Sequence, residues 1–173
     1  MALAAVRLGL VGAGRWGRSF LLTVPTVAGA RLSRIASGNP ETRGLVPRGC
    51  VVVPDWREVA CARDLDGVII ATPPRLHAEM ARAALAAGLA VLVEKPLTMD
   101  SGEARGLLGL ASELGGLVLV DHTHLFHPGY GVLKERAREL KSRSASTRPR
   151  SRSTAFQARS PCPFVSSTAA RTS

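Results

Sequence analysis

The sequence predicts a doubly wound α/β domain, and three observations carry that prediction. Short, almost wholly apolar runs recur along the first 141 residues and are separated by segments with helical spacing, as expected for parallel strands buried on both faces. A glycine-rich turn, Gly12-Ala13-Gly14-Arg15-Trp16-Gly17, follows the first apolar run directly and precedes a helix-like segment. Polar and backbone-shaping residues gather just after the later runs, where the carboxyl ends of parallel strands bind ligands.

Taken in order, residues 5–11 form the first strand. Residues 15–27 form a helix that turns Phe20, Leu21 and Val24 towards the sheet, with Pro25 near its end as a breaker. Residues 31–37 read as the second strand, 39–45 as a short helix, and 50–53 as a third strand rich in β-branched side chains. Asp55 is placed to cap a short helix over 56–62. A buried strand at 68–71 precedes a helix over 75–87 that ends at Gly88, and 90–93 forms a fifth strand. Asp100 or Ser101 caps a helix that runs to Leu114 and is closed by Gly115-Gly116. Residues 117–121 give the sixth strand and 128–140 a final amphipathic helix. The stretch 38–50 is short for a helix with its connections, so that margin of the sheet is the least regular.

The glycine turn has a specific physical reading. Gly12 permits the tight turn out of the strand, Gly14 lets backbone approach a pyrophosphate, and Gly17 lets the helix pack closely on the sheet. The helix N-terminus then offers free N–H groups to the phosphates. The first strand with this turn is therefore read as the start of a Rossmann-like, dinucleotide-binding domain over 1–141.

The 173 residues, 46% of them hydrophobic, suffice for one well-buried domain and are few for two. The net charge of +10 is unevenly spread: six arginines and no acid lie in 142–173, so this tail carries +6. Rich in Ser, Thr, Arg and Pro, with Phe156, Phe164 and Val165 as its substantial apolar groups, the tail is predicted to be disordered. Ser-Arg-Ser at 142–144 and Arg-Ser-Arg-Ser at 150–153 resemble nucleic-acid tethers. Without regular repetition or interleaved aromatics the tail is not assigned a nucleic-acid partner.

Cys50, Cys61 and Cys162 are odd in number and widely spaced, which suggests a reduced, cytoplasmic compartment. The opening apolar stretch runs into the glycine turn rather than into a cleavage site, and no apolar run is long enough to cross a membrane. His122, His124 and His127 lack acidic or thiolate partners at ligand spacing, so no metal site is expected.

Three motifs in fixed order, Gly12-Ala13-Gly14-Arg15-Trp16-Gly17, then Ala71-Thr72-Pro73-Pro74-Arg75-Leu76-His77, then Val93-Glu94-Lys95-Pro96-Leu97, resemble those of the Gfo/Idh/MocA oxidoreductases over residues 5–140. The resemblance implies that Thr72 and Pro73 line a cofactor site and that His77 stands near it at the start of the next helix. It also implies that the Glu94-Lys95-Pro96 turn places Lys95, as the catalytic residue, beside a nicotinamide and the substrate oxygen. Pro96 in this motif is often joined by a cis peptide bond. Duller readings stand beside these: Lys95 as an exposed loop cation, His77 as a solvent-facing residue of a first helical turn, and Trp16 as a packed aromatic rather than a neighbour of the nicotinamide. The expected cofactor residues are Gly12, Gly14, Arg15, Trp16, Gly17, Ser37, Thr72, Pro73, His77, Glu94 and Lys95.

The choice of dinucleotide turns on the second strand. An acid about 20 residues past the glycines would bind the ribose hydroxyls of NAD, and Ser37 stands there instead. Ser37 can donate a hydrogen bond to a 2′-phosphate and Arg43 can add charge, which favours NADP. The rival is NAD with Glu41 reaching back.

Members of the family continue into a second α/β domain that forms the substrate wall. Here the sequence passes from family-like helix into the acid-free tail, and an out-of-frame origin for 142–173 is one expectation. Three readings result. The first is an NAD(P)-dependent oxidoreductase that exchanges hydride with a sugar-like or cyclitol-like alcohol, such a substrate needing a second domain. The second is a truncated dinucleotide-binding module without catalytic activity. The third is a basic protein whose tail binds nucleic acid.

Overall fold

The structure, a computed structural model, describes residues 4–146, with side chains described as far as Lys141. One unit ends at Phe126 and a second begins at His127.

In the first unit six parallel strands form one sheet: β1 (Val6–Val11), β2 (Ala30–Ala36), β3 (Val51–Val53), β4 (Gly67–Ile70), β5 (Ala90–Glu94) and β6 (Val118–Asp121). Their spatial order is β3-β2-β1-β4-β5-β6. The order therefore reverses between β1 and β4, which creates a crevice at the carboxyl ends of those strands. The predicted Rossmann-like sheet is present, with strand ends shifted by a residue or so.

Period-two alternation divides the core between the two faces. Leu10, Ile35 and Ile69 point to one face, where Leu21 of α1 (Arg15–Thr23) and Val24 cover them. Val11, Ala36, Val68, Ile70, Val91 and Val93 point to the other. There they meet Val59 of α2 (Arg57–Ala60), Met80, Ala84 and Leu85 of α3 (His77–Ala86), and Leu107 of α4 (Ser101–Leu114). The strands read as continuous apolar runs because both of their faces are in demand.

The helices differ from the sequence-based expectation where proline or short length intervenes. The helix expected over 15–27 stops as α-helix at Thr23 and ends in a 3-10 turn, Val24–Thr26, around Pro25. A proline inside the helix would lose a backbone hydrogen bond and clash with the preceding turn. The helix expected over 39–45 is a 3-10 turn, Pro40–Gly44, started by the Asn39 side chain accepting from the Glu41 N–H. The helix over 75–87 likewise begins as a 3-10 turn, Pro74–Leu76, before α3. Asp100, rather than Ser101, caps α4, accepting from the N–H groups of Gly102 and Glu103, and Gly115 closes that helix at φ 61°.

In the second unit α5 runs over Pro128–Ser146. It continues past residue 140, the predicted helix end, into 142–146, which the sequence assigned to the disordered tail, because Arg, Ser and Ala do not break a helix. The rest of the predicted tail, 147–173, lies outside the described residues. Among the described residues no helix is long and apolar enough to cross a membrane. Cys50 and Cys61 are both free, and burial pushes the Cys50 thiol up to about 11.

At the amino ends of the strands, Arg7 joins β1 to the turn before β4. Its guanidinium donates to Asp66 at 2.7 and 3.1 Å and its backbone N–H donates to the same carboxylate at 2.7 Å. The side-chain hydrogen bond, then the backbone one, holds the Asp66 carboxyl down at about 2, and Arg34 similarly lowers Asp64. A carboxyl depressed on folding contributes stability that is complete above its unfolded value and is lost as pH falls through its folded value. The urea midpoint is therefore expected to fall between about pH 4 and pH 2, and Asp66→Asn should flatten part of that fall. Equal acid slopes for the two proteins, followed by circular dichroism, would rule the bridge out as a source of acid sensitivity.

Candidate functional site

Helix α1 starts almost on top of the end of β1, and two glycines make this possible. Gly12 adopts φ +93°, and a Cβ there would lie 2.6 Å from the Ala71 carbonyl oxygen. Gly17 faces the Gly12 carbonyl so closely that any side chain would collide with it. Gly14 differs, since a Cβ built on it meets nothing within 4 Å. The first two glycines are thus explained by contacts within the chain, whereas Gly14 borders open space.

That space is a cavity of about 640 Å³ at the reversal point of the sheet. Gly12, Gly14, Arg15, Ser37 and Thr72 of the expected residues line it. The N-terminus of α1 opens onto it: Gly14 supplies no capping side chain and the first turn carries no acid. By contrast, Asp100 satisfies the start of α4 from within the chain. Free N–H groups and the partial positive charge of the α1 terminus therefore suit an anion. These features fit the diphosphate of a dinucleotide, because a glycine cradle with uncapped N–H groups offers donors and no side chain.

Sequence reasoning missed several residues of the cavity. Arg18, Asn39, Pro54, Trp56 and Met80 all line it. Arg18 was legible in principle, being one helical turn after Gly14 and so on the same side of α1. Trp56 carried no such signal, because its place depends on β3 and the turn after it. Neither Arg43 nor Glu41 is among the lining residues. Glu41 instead lies 4.0 Å from Arg18 in a loose, exposed pair. The Ser37 hydroxyl is already in use, 2.8 Å from the Thr42 hydroxyl and accepting from the Asn39 N–H.

The third motif follows β5 and is not among the cavity's lining residues; nor are Trp16, Gly17, Pro73 and His77 of the expected set. Glu94 is buried at the strand end, in register with Asp121 of β6. Lys95 and Pro96 follow, exposed and joined by a cis peptide bond. The Lys95 ammonium lies 5.6 Å from the centre of the Trp16 ring, and the Arg15 guanidinium lies 5.8 Å from it. Trp16 is half exposed, so it is not a core aromatic; it links the glycine turn to the lysine turn. Pro73 is exposed, and the Thr72 hydroxyl donates to the Met80 sulfur at 3.4 Å. His77 stands at the start of α3 as expected, but it is completely buried and not solvent-facing. Its nitrogens face the carbonyl oxygens of Pro96 and Thr72, each at 2.8 Å, which leaves neither ring nitrogen for a cofactor.

Among the described residues no three His, Cys, Asp or Glu side chains form a group that could hold a metal ion.

Comparison with known proteins bears directly on this arrangement. Residues 6–122 match the model of the GFO_IDH_MocA oxidoreductase family, NAD-binding Rossmann fold. The chain belongs to the Gfo/Idh/MocA family. Among its Gfo/Idh/MocA relatives is inositol 2-dehydrogenase 4 of Saccharopolyspora erythraea, 36% identical over 141 residues, which cover 78% of this chain and 41% of the relative. A crystal structure from Magnetospirillum magnetotacticum MS-1, described in general terms as an oxidoreductase, is 50% identical with a TM-score of 0.71, covering 78% of this chain and 44% of that one. A 3-ketoreductase from Actinomadura kijaniata, solved with TDP-benzene and NADP, is 28% identical with a TM-score of 0.71 over 78% of this chain and 44% of its own. The chain thus spans about two fifths of the length of the curated relatives it matches.

The two kinds of glycine contact in this Gfo/Idh/MocA domain separate in mutants. Gly17→Ala forces α1 away from β1 and is expected to lower stability by about 2–4 kcal/mol. Gly14→Ala should leave the thermal midpoint nearly unchanged while weakening dinucleotide binding at least tenfold. Thermal melts with calorimetric titration read both effects; a Gly14→Ala protein that binds as tightly as wild type would remove the cradle assignment.

Proposed function

We propose that this chain is the dinucleotide-holding half of an NAD(P)-dependent oxidoreductase acting on a sugar-like or cyclitol-like alcohol. The observation that carries the reading is the open Gly14 cradle at an uncapped helix N-terminus; two residues on, the Trp16 ring has the Arg15 and Lys95 cations 5.8 and 5.6 Å from its centre. Gly12, Gly14 and Gly17 shape the turn, and the backbone of Gly14 and Arg15 meets the diphosphate. Thr72 and Pro73 form the opposite wall, and Glu94 and Lys95 border the reacting end, with Trp16 alongside.

The nicotinamide, when bound, supplies the hydride chemistry. The chain's own part is orientation and charge. The Lys95 Nζ holds a proton at the substrate oxygen, stabilising negative charge as the alcohol and carbonyl forms interconvert. The alcohol class follows from the relatives, inositol 2-dehydrogenases among them, and a substrate wall must come from outside the described residues.

NADP is the preferred dinucleotide in this reading. Among the described residues no carboxylate borders the cavity at the end of β2, while Ser37, Asn39 and Arg18 do. Arg18 is held by Glu41 only loosely, at 4.0 Å with both side chains mostly exposed, and so can turn to a 2′-phosphate at little cost. Its fork then supplies a charge-assisted pair that NAD cannot engage.

Calorimetric titration of the purified chain tests the reading. NADP is expected to bind more tightly than NAD, and Arg18→Met should weaken NADP roughly tenfold or more, by ~1.5–3 kcal/mol, with little change for NAD. Tighter binding of NAD, or equal losses for both, would overturn the NADP assignment; binding of neither would overturn the cofactor site. Dinucleotide binding without alcohol-dependent turnover would favour the inactive-module reading.

A further inference from the structure

His77 is a fully buried polar side chain in a setting of Met80, Ala81 and other apolar neighbours, and burial of such a group is favourable only if its nitrogens are matched. A leucine or methionine would fill a similar volume without that demand. The pairing is unusual in what it joins, and because both partners are acceptors it is complete when both ring nitrogens carry a proton. Nδ1 lies 2.8 Å from the carbonyl oxygen of Pro96, in the turn that carries Lys95, and Nε2 lies 2.8 Å from the carbonyl oxygen of Thr72, in the loop that lines the cavity. A carbonyl can only accept, so the ring donates to whichever oxygen faces an N–H, and to both when both nitrogens carry one.

We propose that His77 is a positioning residue that ties the Thr72-Pro73 loop to the Lys95-Pro96 turn, so that ligand contact at the loop and placement of the lysine amine are energetically coupled. The identity of the ligand rests on the dinucleotide reading above, whereas the tie itself rests on the two contacts. Being a coupling free energy, it acts in both directions: a ligand that fixes the loop fixes Lys95, and a disturbance at the turn weakens the ligand. The ring sits at the start of α3, packed on the sheet through Met80, Ala84 and Leu85, so both loops are referred to one rigid element. Trp16 then supplies a built-in reporter, since its ring lies 5.6 Å from the Lys95 amine.

Two substitutions cut the tie at one end each. His77→Asn keeps a polar group near the Nδ1 position and so the Pro96 contact. His77→Gln keeps one near the Nε2 position and so the Thr72 contact. The chain has three lysines, Lys95, Lys134 and Lys141, so reductive methylation with ¹³C-formaldehyde gives a simple spectrum in which Lys95→Arg identifies the Lys95 signal. Trp16→Leu defines its position without the ring.

For the ligand-free chain, the Gln variant is expected to move the Lys95 methyl signal towards its Trp16→Leu position, while the Asn variant keeps it at the wild-type position. For NADP titrations, each variant should lose the ligand-induced Lys95 shift, because a cut at either end breaks the coupling, and each should bind about tenfold more weakly than wild type, the equivalent of ~1.4 kcal/mol. A histidine that only fills the core would lower the melting temperature of both variants and leave the Lys95 signal in place; that result overturns the proposal. In wild type, ¹⁵N signals of the buried imidazole should respond at the same NADP concentration as Lys95, and an unresponsive ring also overturns it. This second measurement needs no variant to fold. If wild type binds no dinucleotide, the cofactor reading fails, and the ligand-free Gln spectrum still decides whether the tie exists.

Discussion

The close approach of Gly17 to the carbonyl of Gly12 is the constraint on which the rest of this molecule depends. It places the first turn of α1 directly over the end of β1, and the sheet order places that end at the reversal between β1 and β4. Three consequences follow from one contact. The helix terminus opens onto the cavity, Gly14 is left bordering open space, and Trp16 is carried across to the turn after β5. A side chain at either position 12 or 17 would separate these features.

Few polar side chains near the glycine turn are left free for a ligand. The glycines offer N–H groups and no side chains, Thr72 and Ser37 have hydroxyls already engaged within the chain, and His77 has both nitrogens committed. The charged side chains that line the cavity and remain exposed are Arg15 and Arg18. The site is therefore cationic at its edge and neutral at its base, a distribution suited to an anionic ligand.

The sequence made the sheet legible because each buried parallel strand demands apolar side chains on both faces, which leaves an unmistakable run such as Val68 to Ile70. Helix ends were less legible. Pro25 and Pro74 shift the local balance towards 3-10 turns, and the difference between Thr23 and 27 as a helix end lies in the proline ring rather than in any periodic pattern. In the site, Gly12, Gly14, Ser37 and Thr72 were legible because each lies within three residues of a strand's carboxyl end. Trp56 and Asn39 were not, since their positions depend on how the short third strand and its flanking turns fold back. His77 shows a further limit: its position in the chain was informative, whereas its burial and its two carbonyl partners come from packing that brings Pro96 to the start of α3.

The central claim is that a dinucleotide lies along this crevice with its nicotinamide end beside Trp16 and Lys95. Energy transfer tests it most directly. In a Trp56→Phe background Trp16 is the remaining tryptophan, since the chain has two, and the reduced nicotinamide ring absorbs where indole emits. Saturable quenching of Trp16 by NADPH, with matching sensitised nicotinamide emission that Gly14→Ala abolishes, is the predicted result. Tight NADPH binding with no transfer from Trp16 would place the nicotinamide elsewhere and contradict the claim.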